Sequence, residues 1–231
     1  MGSPENSHYQ ELELDEYDIS PEVIERKRPI LFVPGWNAKL SEYREALRKL
    51  VVEGKTRVIS VVPTGTEEEK VSKLIELIDL KGLEEVDVIS HSLGAMSSVV
   101  AALRDARIKR LVLLNPPDEE HDTKGLIKKY SEMISFEGTK NAADVGVRKI
   151  VEMARTITDF DINGMREKLS SIGTRVASIH GLSDILFPPP ATAMPFTESA
   201  VESGQDRFYV ETNHLNVVPL IPFALRLLEQ P

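Results

Sequence analysis

The chain has 231 residues, 41% of them hydrophobic and 28% charged, with a net charge of −9 at neutral pH. That length and apolar fraction suit one domain with a sizeable core, while the acidic balance argues against the basic surface that nucleic acid or an anionic membrane would require. Zero cysteines exclude disulfides, thiol nucleophiles and thiolate metal sites together, and fit a cytoplasmic location.

Residues 1–28 read as an irregular N-terminal extension. Their first 20 residues are polar and acidic, without the basic and apolar regions of a secretory signal. No apolar run approaches the roughly 18 residues that a membrane span needs. Within the extension, Glu11-Leu12-Glu13-Leu14 alternates and predicts a short edge strand. Pro29 then opens Ile30-Leu31-Phe32-Val33, a continuous apolar run of buried-strand character, punctuated by Pro34-Gly35. Tyr43, Ala46, Leu47 and Leu50 recur at helical spacing, and Gly54 stops that helix. A strand over Arg57 to Val62 ends at Pro63 and Gly65. Thr66 with Glu69 three residues on reads as a capping box. It opens a helix whose face carries Val71, Leu74, Ile75 and Ile78, ended by Gly82.

Val86 to Ile89 is the next strand, and Ala95, Met96, Val99, Val100 and Leu103 mark the helix after it. Arg110 to Leu114 is a further strand, stopped by Asn115-Pro116-Pro117. This alternation predicts an α/β fold with a doubly wound, mostly parallel sheet. The rhythm then stops. From Asp118 to Gly173 three helical patterns follow one another: Leu126-Ile127-Tyr130-Ile134, Val147-Ile150-Val151-Ala154 and Met165-Leu169-Ile172. We expect a helical cap insertion over 118–173, between core segments 29–117 and 174–231; an elongated crossover is the alternative. The rhythm resumes with a strand over Arg175 to His180, a short helix near Thr192 to Glu202, a strand over Arg207 to Glu211 and a last helix from about Pro219 to Leu228. Pro219 and Pro222 suit only the first turn of that helix.

The chemistry concentrates at strand ends. Ser90-His91-Ser92-Leu93-Gly94 lies between a strand and a helix, the context of a sharp turn that lifts a serine hydroxyl toward the helix N-terminus. Asp184 follows the strand of Val176 to Ile179, and His214 follows the strand of Phe208 to Glu211. In a parallel sheet those ends share the edge where ligands bind. A serine hydroxyl is a poor nucleophile until a base takes its proton. Ser92 is therefore the candidate nucleophile, His214 the candidate base and Asp184 the acid that orients it. The Leu93 backbone N–H offers one oxyanion donor, and the loop after Val33 a second, assigned to Trp36.

In these segments the chain resembles the α/β-hydrolase superfamily, over roughly Pro29 to Pro231. Ile30 to Trp36 is similar to the strand and oxyanion loop, Ser90 to Gly94 to the nucleophile elbow, and His180-Gly181-Leu182-Ser183-Asp184-Ile185-Leu186-Phe187-Pro188 to the acid loop. The departures are Pro34 where histidine is commoner, Ser90 where glycine is commoner, and a short N-terminus. The resemblance implies a serine hydrolase of the esterase kind with a sheet of about six strands. Its acid loop favours Asp184 over Asp118 or Glu119, which follow the strand after the elbow helix.

Other residues carry plainer expectations. His91 is expected to pack, His180 to be a hydrogen-bonded loop residue, and His8 and His121 to be solvated. Trp36, Ile185, Leu186 and Leu215 are candidate pocket walls, with core packing the alternative for each. No metal site, cofactor or phosphate-binding loop is implied, and the expected partner is a small-molecule acyl substrate. Cleavage of a small or medium carboxylic ester through an acyl-enzyme on Ser92 is the leading function. An acyltransferase or thioesterase on the same triad, or a non-catalytic ligand receptor on the same scaffold, are the alternatives.

Overall fold

The computed structural model describes residues 16–35, 38–117, 125, 128, 151, 154–157, 159–190, 193, 196–197 and 205–230. They build a seven-stranded sheet: β1 (Glu16–Ile19), β2 (Ile30–Val33), β3 (Val58–Val61), β4 (Val86–His91), β5 (Ile108–Leu114), β6 (Arg175–Gly181) and β7 (Arg207–Val210). Their spatial order is β1-β3-β2-β4-β5-β6-β7. All neighbours are parallel except β1, which runs antiparallel to β3. The sheet thus has one strand more than the six expected. The extra strand comes from the N-terminal extension, where Tyr17 and Ile19 pack toward the core while Asp18 pairs with Arg57 at 2.8 Å. The alternation expected at Glu11 to Leu14 lies outside the described residues.

Central strands buried on both faces must be apolar at every position, and β2 is buried throughout. Ile30 and Phe32 face the layer of α1 (Arg44–Gly54) and α5 (Ile221–Glu229), meeting Leu47, Leu50, Ala224 and Leu228. Leu31 and Val33 face the opposite layer of α2 (Glu67–Leu80), α3 (Gly94–Arg104) and α4 (Ile162–Ser171), meeting Val71, Leu74, Ala95 and Val99. The expected capping box starts α2: the Thr66 N–H donates to the Glu69 carboxylate at 2.7 Å, and the Glu69 N–H donates back to the Thr66 hydroxyl at 3.3 Å.

Helix α4 falls at the end of the segment expected as a cap. Its Ile162 and Leu169 are buried in the core layer with Ala95, Val99 and Leu111. It therefore packs on the sheet as a crossover helix leading into β6. Residues 118–124, and with them Asp118, Glu119 and His121, lie outside the described residues, as do Tyr130, Ile134, Val147 and Ile150. The helix expected near Thr192 to Glu202 falls largely there too.

The turn between β4 and α3 is held against the end of β2. A Cβ added to Gly94 would come within 2.7 Å of the Val33 carbonyl oxygen and closer still to that of Pro34. Both obstacles are backbone, so neither can swing aside. We expect Gly94→Ala to destabilise the protein by about 1–3 kcal/mol, read as a lowered Tm in thermal unfolding. An unchanged Tm would contradict this packing.

Candidate functional site

Three loops at the C-terminal ends of the parallel strands bring together residues far apart in sequence. The first follows β4. Ser92 takes a left-handed backbone conformation, with φ of 51°, which lets the chain turn from strand into α3 within two residues. Its N–H donates to the Leu114 carbonyl at 2.8 Å, so β5 holds the turn from the other side. The Leu93 N–H at the head of α3 meets no acceptor among the described residues.

The second loop follows β6. Asp184 is almost fully buried. Its Oδ1 accepts from the N–H groups of Leu186 (2.8 Å) and Phe187 (2.9 Å), which fixes the carboxylate plane. Its Oδ2 is left to face His214. Gly181 is where this loop crosses the third one: a Cβ there would overlap the Thr212 carbonyl.

The third loop follows β7 and is shaped by Asn213, whose side-chain oxygen accepts from the N–H groups of Leu215 and Asn216 at 3.1 and 2.9 Å. His214 lies between the two other loops. Its Nδ1 is 2.7 Å from Asp184 Oδ2, and its Nε2 is 3.0 Å from Ser92 Oγ. A carboxylate can only accept, so Nδ1 carries the hydrogen and Nε2 presents its lone pair to the serine hydroxyl. The Phe187 ring packs edge-on against the imidazole, with centroids 5.2 Å apart. The arrangement is therefore a buried hydroxyl, a base beside it and a carboxylate fixing the tautomer of that base.

The structure thus brings Ser92, Asp184 and His214 into one row. Trp36 lies outside the described residues. Gly35, just before it, packs against Ser92 and His91, and its N–H donates to the Tyr43 hydroxyl at 3.2 Å. Of the candidate pocket walls, Ile185 and Leu215 are exposed by 54% and 45% respectively. Leu186 is buried in the loop, because its N–H must reach back to Asp184. His180 lies within β6 and not in a loop; its Nε2 is 3.0 Å from the Ser178 hydroxyl, and its ring stacks on Tyr209. Among the described residues no group of three His, Asp or Glu side chains converges on a metal-binding arrangement. No described helix is long and apolar enough to cross a membrane.

Sequence reasoning missed four residues here. Tyr43 and Asn115 carry no local motif, and Phe187 was read only as part of the acid-loop match. His91, expected merely to pack, is hydrogen-bonded on both ring nitrogens, to Tyr43 at 2.6 Å and to the His214 carbonyl at 2.8 Å.

No protein-family model matches the chain, and no curated protein matches it. Solved structures do. A carboxylesterase of the thaumarchaeon Nitrososphaera gargenis is 14% identical, with 99% of this chain and 95% of that one covered and a TM-score of 0.62. A bromoperoxidase from Bacillus anthracis is 15% identical over 93% of this chain and 95% of that one, with a TM-score of 0.65. A thermophilic esterase from Thermogutta terrifontis is 16% identical over 92% and 90%, with a TM-score of 0.56. The chain has the α/β-hydrolase fold.

Burial, and next to it the neighbouring His214, push the His91 pKa down to about 3. In the unfolded chain its ordinary value is 6.5. Below that pH the unfolded state takes up a proton that the folded state refuses. The contribution of His91 to stability is therefore complete above pH 6.5 and is lost progressively as pH falls toward 3. A His91→Gln variant should show a shallower fall in Tm between pH 7 and pH 4.5 than the wild type. Parallel Tm profiles would contradict the neutral, buried state of His91.

Proposed function

We propose that this protein is a serine hydrolase that cleaves small or medium carboxylic esters through an acyl-enzyme on Ser92. The observation that carries this reading is the row Asp184 Oδ2, His214 and Ser92 Oγ, closed by contacts of 2.7 and 3.0 Å. Named esterases among the structures that share the fold support it.

In the forward step Ser92 Oγ attacks the carbonyl carbon of the ester while His214 Nε2 takes the hydroxyl proton. The carbonyl oxygen becomes an oxyanion. The Leu93 N–H at the head of α3, without an acceptor among the described residues, is one donor for it, and the Trp36 N–H is assigned as the second. The Gly35 N–H donates to Tyr43 and is not assigned this role. Collapse of the tetrahedral intermediate breaks the bond to the alkoxy oxygen, and His214 returns its proton to the departing alcohol. Water then repeats the sequence on the acyl-enzyme, releasing the carboxylic acid and restoring Ser92. Throughout, Asp184 holds the Nδ1–H tautomer and stabilises the transient imidazolium.

Ile185 and Leu215, exposed beside Asp184 and His214 in the chain, are the apolar side chains this reading assigns to a short acyl group. The zero cysteine count and the acidic chain support a cytoplasmic enzyme acting on a small molecule, without nucleic acid.

Turnover of a short-chain p-nitrophenyl ester tests the reading. We expect Ser92→Ala to abolish it. Asp184→Asn should lower kcat by a factor on the order of 10⁴, because the amide favours the wrong imidazole tautomer. Near-normal turnover in Asp184→Asn, with loss in Asp118→Asn instead, would move the acid to the strand after the elbow helix.

A further inference from the structure

Beside the row of Ser92, His214 and Asp184 runs a second hydrogen-bonded row that the acyl transfer does not use. The Gly35 N–H donates to the Tyr43 hydroxyl at 3.2 Å. That hydroxyl is 2.6 Å from His91 Nδ1, and His91 Nε2 is 2.8 Å from the carbonyl oxygen of His214. Asn115 Nδ2 reaches the same carbonyl oxygen at 2.9 Å.

Every hydrogen in this row has only one consistent place. The His214 carbonyl can only accept, so His91 carries its hydrogen on Nε2. Its Nδ1 is then a lone pair, and Tyr43 must donate to it. The Tyr43 oxygen is left to accept from Gly35. Asn115 is fixed in the same way: its Oδ1 accepts from the Gly181 N–H at 2.7 Å, so its amide hydrogens face His214. Asn115 itself sits in a left-handed turn at the end of β5, with φ of 47°, and its own N–H donates to the Ile179 carbonyl.

The position of this row suggests its purpose. His214 hangs from the loop after β7, a strand of four residues that among the described strands pairs with β6 alone. A base that must stay within hydrogen-bond reach of Ser92 needs holding by more than that pairing. We propose that Tyr43, His91 and Asn115 are positioning residues that grip the backbone carbonyl of His214 from two sides and tie it to the Gly35 turn. Base and oxyanion turn then move as one body. This rests on the serine-hydrolase reading.

The row works only while His91 is neutral. A protonated His91 would have no acceptor for the Tyr43 hydroxyl. It would also set a second cation beside the imidazolium that His214 becomes, with ring centroids 5.1 Å apart. Burial of His91 enforces the neutral form.

Two measurements test the proposal. In ¹⁵N-histidine spectra of the whole protein, His91 should be a neutral Nε2–H tautomer at every pH from 8 to 5. The His214 signals should shift in Tyr43→Phe, a variant that keeps the ring packed on Phe32. In ester kinetics, Tyr43→Phe and Asn115→Ala should each lower kcat by about 10- to 100-fold with KM within about twofold, the cost of a misplaced base. Glutamine can both donate and accept, so His91→Gln should retain far more activity than His91→Leu. His91 found as the Nδ1–H tautomer, or unchanged kcat in folded Tyr43→Phe and Asn115→Ala, would overturn the proposal. A wild type inert toward esters would instead remove the serine-hydrolase reading, while the histidine spectra would still decide whether the row holds His214.

Discussion

Ser92 adopts a φ of 51° at the junction of β4 and α3, a conformation that costs a non-glycine residue about 1–3 kcal/mol and persists only where its surroundings over-determine it. Here they do. β4 is hydrogen-bonded to β2 on one side and β5 on the other, the Ser92 N–H is fixed on Leu114, and Gly94 is pressed against the end of β2. The strain is met by central, buried strands paired on both sides. It places the serine side chain at the sheet edge and frees the first amide of the helix.

The remaining parts of the site are loops, and each is fixed by borrowing groups from its neighbours. Asp184 is oriented by two amides of its own loop. His214 is held by Asp184 through its ring and by His91 and Asn115 through its backbone. Asn115 spans the ends of β5, β6 and the β7 loop with one side chain. Glycine recurs where two backbones must touch, at Gly94 and Gly181. The sheet supplies direction and these cross-loop contacts supply distance.

Much of this was legible in the sequence because the signals are local. Apolar runs ended by Pro or Gly marked the central strands, Thr66 and Glu69 marked a helix start, and Ser92, Asp184 and His214 stood in order just past strand ends. Other features escaped for physical reasons. Tyr43 and His91 are 48 residues apart, and Asn115 and His214 are 99 apart; no periodicity couples such pairs. β1 was not foreseen, because Glu16–Ile19 is short and carries only Tyr17 and Ile19 as apolar residues in an acidic segment. What favours Glu16–Ile19 is its pairing with β3 and the Asp18–Arg57 and Asp18–Lys81 ion pairs. Helix α4 was read as cap because Met165, Leu169 and Ile172 show an apolar face without showing what it covers. Ser90, at the place where a glycine is usual in such turns, keeps a buried hydroxyl without a partner among the described residues, a cost that a glycine would not carry.

The central claim is that Ser92 is a nucleophile activated by His214. Intact-mass spectrometry after exposure of the native protein to a fluorophosphonate probe tests it most directly, since the probe needs only an activated hydroxyl and not the natural substrate. One covalent adduct is expected, located on Ser92 and lost in Ser92→Ala. An unmodified wild-type protein, or an adduct that persists in Ser92→Ala, would contradict it.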